Sequence, residues 1–440
     1  MFPRLKMQDL MHWKNHPKRK PVILRGARQV GKTFLLKAFG DQEFESVHYF
    51  NFEKNKSLAG FFDSNLDPKR IIENLSIFQN KDIAIDDLII FDEIQECPNA
   101  LTSLKYFCEE RENGYIVAAG SLLGIHLGSS FPVGKVEFID LCPLNFEEFL
   151  LANKKSSYLK LLNLDIEKLS IPKPIHELLF QEYLEYMIVG GMPEAIKALT
   201  ESEEGIVKKY KSVRKIQRDL IDSYVNDISK HSGKQNALHI ERVWKSSVSQ
   251  LSQNIDGNAK KFVFKNVLSG ASSFRELSGP IDWLKKAGLV LQIPIANNGE
   301  SPCDAYVKEN KFKLLVHDVG LLGALAGIAP SEILSWSFGT YKGYFAENFV
   351  GQELRSMGFP LYSWNENTAE IEFLISSPAG NIPIEVKSGK KTKAKSLKVF
   401  EGKYKPQKSI IISASELKYS SHGRVYAPLY CCSWIAKLLN

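Results

Sequence analysis

Val22-Ile-Leu24 is a short apolar run that leads through Arg25 into Gly26-Ala-Arg-Gln-Val-Gly31-Lys32-Thr33, and Phe34–Phe39 continues as a helix-like segment. The middle stretch fits G-x-x-x-x-G-K-[ST] at every fixed position, with a strand before it and a helix after it. Glycines let the backbone N–H groups of Gly26, Ala27, Arg28, Gln29, Val30 and Gly31 wrap phosphate oxygens, and the helix N-terminus adds a positive dipole end. Lys32 is then expected to reach the β- and γ-phosphates of ATP, and Thr33 to hold Mg²⁺. The competing reading is a chance turn, which leaves the flanking strand and helix unexplained.

Working outward, Leu88-Ile-Ile-Phe91 is wholly apolar, as a strand covered on both faces is, and it delivers Asp92-Glu93 to the edge of the sheet. Asp92 is expected to bind Mg²⁺ through water and Glu93 to polarise the attacking water. Alone, such a pair reads as a solvated strand end. Downstream of a P-loop it reads as catalytic. Ser121 follows the strand Tyr115–Ala119 and is either a sensor of the γ-phosphate or a turn serine. Arg214 and Arg218 lie in a basic helical stretch; as arginine fingers they compete with the preferred reading, a solvated helix face.

With the strand Val47–Phe52, residues 1–150 alternate strand and helix as a parallel α/β sheet does. Residues 151–235 read as helices, including Glu182–Val189 before the break at Gly190-Gly-Met-Pro193. Within 236–300, Ile240–Gln250, Phe262–Leu268 and Ser273–Ala287 read as helical and Leu289–Ile293 as a strand, the layout of a winged helix. The remainder, 301–440, is a second α/β unit. Its helix Tyr341–Met357 precedes strands Leu361–Trp364, Ala369–Ile375 and Ile382–Lys387, then helix Ser396–Lys403, strand Ser409–Ser413 and the closing segment Ile435–Leu439.

The composition, 44% hydrophobic and 24% charged over 440 residues, is that of a globular protein with room for several domains. A net charge of +7 permits a nucleic-acid partner without requiring one. Six cysteines with no C-x-x-C pair argue against a zinc site and fit a reducing compartment. The longest apolar stretch, Val319–Ala329, is too short to span a bilayer and reads as a buried helix, and no signal peptide opens the chain. The expectation is a cytoplasmic protein without a membrane partner.

The ordered set of motifs resembles the prokaryotic AAA+-type P-loop ATPases that carry a C-terminal domain of unassigned function. It comprises the P-loop, Phe91-Asp-Glu-Ile-Gln95, Ala119-Gly-Ser121, Pro143-Leu-Asn-Phe-Glu-Glu-Phe149, Gly190-Gly-Met-Pro-Glu194, Tyr224-Val-Asn-Asp-Ile228 and Ile384-Glu-Val-Lys-Ser-Gly389. The resemblance covers essentially the whole chain. It implies an AAA+-like core (1–150), a helical lid (151–235), a winged helix (236–300) and a restriction-endonuclease-like domain (301–440). One departure is Lys135, where the family usually has arginine, which weakens this position as an arginine finger.

Restriction-endonuclease-like folds set carboxylates and a lysine on adjacent strands with a glutamate on the preceding helix, and the carboxylates bind Mg²⁺ for phosphodiester attack. Glu385-Val-Lys387 supplies the E-x-K pair, on one face of a strand by alternation. Glu372 sits where the family has aspartate, and Glu347 falls on the helix. A surface strand with Glu and Lys in pairs is the alternative. Nine lysines between Lys387 and Lys408, against the single acid Glu401, form either a solvated face or a track for a phosphate backbone, joined there by Lys260, Lys261, Lys265 and Arg275. Three functions stand at this point: an ATPase coupled to DNA binding, with or without cleavage; an ATP-driven scaffold that binds partners; and a nuclease in which ATP only gates access.

Overall fold

Each strand of the first sheet is a short run of apolar residues. In the computed structural model these form β1 (Val22–Arg25), β2 (Val47–Asn51), β3 (Leu88–Asp92), β4 (Tyr115–Gly120) and β5 (Glu137–Asp140). The described residues are all except 1, 112–113, 127–133, 163–170, 254–260, 271, 340, 379, 391–393, 420–422 and 434–440; side chains at 125–126, 162, 234–235 and 251–253 are likewise not described. Ile435–Leu439, Lys260, Lys391 and Lys393 therefore lie outside them. By contacts the chain divides into an N-terminal unit, Arg4–Cys142 with Lys286–Gly288, and a C-terminal unit containing Met1–Pro3, Pro143–Lys285 and Leu289–Asn440.

The N-terminal sheet is wholly parallel, in the order β2-β3-β4-β1-β5. Its helices are α1 (Lys6–Asn15), α2 (Lys32–Glu43), α3 (Pro68–Gln79), α4 (Pro98–Glu110) and α5 (Leu123–His126). Helix α3 starts where the Asp67 side chain accepts from the Lys69 N–H and proline occupies the first turn, the usual chemistry of a helix N-terminus. Strand β3 is buried at every position, and Phe91 lies within ring contact of Phe50, Phe52, Phe62 and Phe107. Burying one such ring contributes about 1.5–3 kcal/mol, so the strand carrying Asp92 is firmly anchored.

The C-terminal unit begins with α6 (Phe146–Ala152), α7 (Ser156–Leu162), α8 (Lys173–Val189), α9 (Pro193–Thr200), α10 (Ile206–Ser232), α11 (Lys234–Gln253) and α12 (Phe274–Lys286). Next come β6 (Val290–Ala296), β7 (Val307–Val316), α13 (Val319–Leu325), α14 (Pro330–Leu334) and α15 (Tyr341–Ser356). The chain then forms β8 (Tyr362–Glu366), β9 (Ala369–Ser377), β10 (Gly380–Val386), α16 (Lys395–Tyr404), β11 (Ser409–Ser413), β12 (Lys418–Tyr419) and β13 (Arg424–Pro428). All eight strands form one mixed sheet, β12-β13-β11-β10-β9-β8-β6-β7.

Two expectations change. Phe262–Leu268 is not helical: Phe262 is buried, Val263 exposed, and Phe262 and Phe264 both rest on Phe312, the two-residue alternation of extended chain. The boundary expected at 300 falls inside the β6–β7 hairpin, and β6 also pairs in parallel with β8, so one sheet runs across it.

Helix α15 crosses the unit with Ala346 through Leu354 buried. Its polar side chains are spent on neighbouring backbone. Asn348 accepts from Val316 N–H and donates to Val316 O, both at 2.8 Å, and Gln352 accepts from Val319 N–H at 2.9 Å. The helix is thereby pinned to the end of β7. Among the described residues no helix is long and apolar enough to cross a membrane.

Candidate functional site

At the carboxyl edge of the parallel sheet, β1 turns through the glycine-rich loop into α2, while β3 ends two strands away in Asp92. Ligands of parallel sheets bind at this edge. The loop's shape depends on two glycines. A Cβ on Gly26 would lie 2.1 Å from Leu141 O, and Gly31, which precedes α2, has φ 96°, a left-handed conformation that favours glycine.

Lys32 is buried, and its Nζ donates to Gly26 O at 3.0 Å and Ala27 O at 2.9 Å. Burial lowers its pKa to about 8, although Glu93 and Asp92 pull the other way. Thr33 Oγ1 donates toward Asp92, 3.1 and 3.0 Å from its two carboxylate oxygens. Tyr49 Oη and Asn51 Nδ2, both from β2, donate to Asp92 Oδ2 at 2.5 and 3.0 Å. Burial and the bond to Asp92 raise the Tyr49 pKa.

Glu93 follows in the left-handed region, φ 50° and ψ 46°, which a glutamate adopts only where its surroundings hold it. Its Oε2 accepts from Gln95 Nε2 at 2.6 Å and from Ser121 Oγ at 3.3 Å, and Ser121 in turn accepts from Arg28 Nε at 3.2 Å. Thr33 with Asp92, and Glu93 with Ser121, are thus bonded in two pairs, and the charges of Asp92 and Glu93 both act on the buried Lys32. Sequence reasoning missed Tyr49, Asn51 and Gln95. The first two alternate on a strand that ends beside β3, and that polar alternation was the available signal.

The finger candidates separate. Lys135 pairs with Glu109 at 2.9 Å. Arg218 is exposed, but Arg214 is not on a solvated face: it is buried, donating to Gln217 Oε1, Gly320 O and Ile328 O. It ties α10 to α13 and serves the fold.

In the C-terminal unit, β9 and β10 are antiparallel with Phe373 opposite Ile384, a register that sets Glu372 across from Glu385. Alternation puts Glu370, Glu372, Glu385 and Lys387 on one face. Glu372 Oε2 accepts from Val386 N–H at 3.0 Å, and Lys387 Nζ pairs with Glu385 Oε1. Glu385 Oε2 is buried without a hydrogen-bond partner. Glu347, on α15, is also buried, and its Oε1 accepts from Lys313 Nζ at 2.8 Å. The same ammonium is 2.7 Å from Glu370 Oε1.

Lys313 was not anticipated. Its side chain is 2% exposed. Burial lowers its pKa, but Glu347, Glu370 and Glu372 outweigh that and hold it well above the usual lysine value. A lysine inside Phe312-Lys-Leu-Leu-Val316 was the signal, hidden because the first half of β7 is polar. Among the described residues no group of three or more His, Cys, Asp or Glu could hold a metal ion.

Residues 18–150 match the family model of an AAA domain. Residues 180–332 and 342–432 match two domains of unknown function, DUF8612 and DUF4143. No curated protein matches the chain. Among solved structures it is similar to the Walker-type ATPase PABY2304 of Pyrococcus abyssi, with TM-score 0.46 and 13% identity over 74% of this chain and 96% of that one. It is also similar to the Aeropyrum pernix Orc1 protein in complex with DNA, with TM-score 0.32 and 14% identity over 73% and 91%. A third is the RuvB Holliday junction branch migration motor of Thermotoga maritima, with TM-score 0.33 and 12% identity over 67% and 90%. These are distant likenesses.

Proposed function

We propose that this protein hydrolyses ATP with Mg²⁺ at the P-loop and couples that cycle to DNA held by its C-terminal half. The observation that carries the reading is the contact of Thr33 with Asp92, beside the buried Lys32 and the restrained Glu93. Thr33 and Asp92 are hard oxygen donors of the kind Mg²⁺ takes, so the residues fit the ion, which would neutralise charge on the β- and γ-phosphates. Lys32 exchanges two carbonyl partners for phosphate oxygens. Glu93, steadied by Gln95 and Ser121, orients water and accepts its proton.

For the C-terminal half, the division into lid, winged helix and restriction-endonuclease-like domain is kept as a proposal, with β6 joined to the last sheet. DNA binding is supported by exposed Lys261, Lys265 and Arg275, and by exposed Lys390, Lys395, Lys398 and Lys405 around α16. Metal-dependent cleavage by Glu347, Glu372, Glu385 and Lys387 finds less support, because Lys313, Val386 N–H and Lys387 already engage the carboxylates. That favours keeping the scaffold reading alongside. Six free cysteines suit a reducing cytoplasm.

The test is ATP turnover with and without single-stranded, duplex and branched DNA. Stimulation by any of them supports coupling. Turnover unaffected by DNA, in protein that also fails to bind it, would leave the scaffold.

A further inference from the structure

Glycine lets two stretches of backbone come closer than side chains allow, and two such approaches meet at the end of α12. The helix closes after Lys286 with Gly288 at φ 75°, and Leu289 N–H reaches back to Leu284 O at 3.0 Å. That closing bond needs a left-handed residue one position earlier, which glycine supplies without strain. By contacts Lys286–Gly288 group with Arg4–Cys142, although the rest of α12 does not. Their neighbours say why. A Cβ on Gly288 would stand 3.1 Å from Ala27 N and 3.5 Å from Ala27 Cα, and a Cβ on Gly124 would stand 3.2 Å from Lys286 Cβ.

Ala27 is not an ordinary neighbour. It is buried in the phosphate loop, and its carbonyl is one of the two that Lys32 Nζ holds, at 2.9 Å. The residue is therefore held on one side by the nucleotide lysine and backed on the other by the end of α12. Gly124 lies three residues past Ser121, whose hydroxyl meets Glu93 at 3.3 Å. The turn thus touches the chain just after β1 and just after β4, the two strand ends that carry Ala27 and Ser121. Nor can the turn recede when crowded, because Leu289 O accepts from His317 N–H at 3.2 Å and lies 3.0 Å from His317 Nδ1.

We propose that Gly288 is a positioning residue for ATP: the end of α12 backs the phosphate loop at Ala27 and so sets how firmly the loop holds phosphate. Any side chain at 288 must push Ala27, and with it the carbonyl that Lys32 leaves for a phosphate oxygen. This rests on the P-loop reading of Lys32 and asks nothing of DNA.

The experiment compares, in the full-length chain, two glycines with the same backbone conformation. Gly288 and Gly233 have φ 75° and 78°, but a Cβ on Gly233 would meet nothing within 4 Å. Gly288→Ala and Gly233→Ala should therefore lower the melting temperature alike, through strain at a left-handed position. Affinity for ATPγS with Mg²⁺, read by calorimetry, should separate them. It should fall roughly tenfold or more in Gly288→Ala and stay within about twofold of the parent in Gly233→Ala, since only the first misplaces the loop. Where Gly288→Ala does not fold, amide hydrogen exchange on the parent decides: ATPγS should slow exchange at 284–289 and leave the turn at Gly233 unchanged. Equal loss of affinity in the two variants, or parental affinity in a folded Gly288→Ala, would overturn the proposal and leave the P-loop reading standing. Exchange at 284–289 that bound ATPγS does not alter would do the same. A parent chain that binds no ATPγS would overturn both.

Discussion

Among the described residues two lysines are buried, and their surroundings drive them in opposite directions. Lys32 rests on two neutral carbonyls in the P-loop, and burial lowers its pKa to about 8. Lys313 rests among carboxylates, and the same burial is overcome. The first has neutral partners, which on the proposed function it exchanges for phosphate oxygens. The second has partners that would themselves be stranded if it left. Burial alone therefore does not tell a ligand-binding lysine from a structural one; the charge of its partners does.

The hardest test of that contrast is Lys32→Ala. Losing charge-assisted bonds to two phosphates should weaken ATP binding by more than about a thousandfold, roughly 4 kcal/mol or more. Calorimetry on the folded variant decides it, and unchanged affinity would remove Lys32 from the site. Next comes Lys313→Met, which leaves buried glutamates uncompensated. It should cost about 3 kcal/mol of stability in metal-free buffer, seen in denaturant midpoints, with ATP affinity unaltered. A variant as stable as the parent would mean the cluster sheds its charge without help.

Glu93→Gln sharpens the picture at the P-loop. Turnover should fall by about a hundredfold or more while ATP still binds, as expected for losing a general base. Near-normal turnover would make Glu93 a structural residue. The smallest effect is in pH. ATP affinity should fall by up to about tenfold per pH unit above about 8, where Lys32 of the free protein loses its proton, and binding there should take up a proton. Calorimetry in buffers of different ionisation enthalpy reads both, and flat affinity to pH 9.5 would rule out the lowered pKa. Stability moves the other way. The unfolded lysine keeps its proton up to the ordinary lysine value of 10.5, so between about 8 and 10.5 Lys32's contribution to stability grows with pH. Lys313, raised instead, contributes fully below 10.5 and loses that only as pH climbs toward its folded value.

Both sites were partly legible from residue order. The P-loop and Asp92-Glu93 were clear because each is a polar signal set at the end of an apolar strand. Strand β5 was hidden because Glu137-Phe-Ile-Asp140 is a short edge strand with charged ends and an exposed Phe138. Strand β7 was hidden because its first residues, Lys308 to Lys311, are exposed and polar and only Phe312 to Val316 face a core. Glu347, Glu372 and Glu385 could be placed on their elements, yet no spacing rule links them to a lysine on β7 that meets them only after the sheet forms. Arg214 misled for a similar reason, since a charged residue on a basic helix looks solvated until its carbonyl partners arrive from Gly320 and Ile328.

The single eight-stranded sheet has a practical consequence for anyone who wishes to dissect the molecule. The match to DUF4143 begins at 342, and that point invites an expression boundary. A fragment cut there would keep β8 to β13 and lose β6 and β7, exposing the bare side of β8 to aggregation. It would also leave Lys313 on the discarded piece while retaining Glu347, Glu370, Glu372 and Glu385. Such a fragment would be a different electrolyte from the parent, with four acids and no internal counter-charge from β7. Any appetite for metal it displayed would be a property conferred by the scissors.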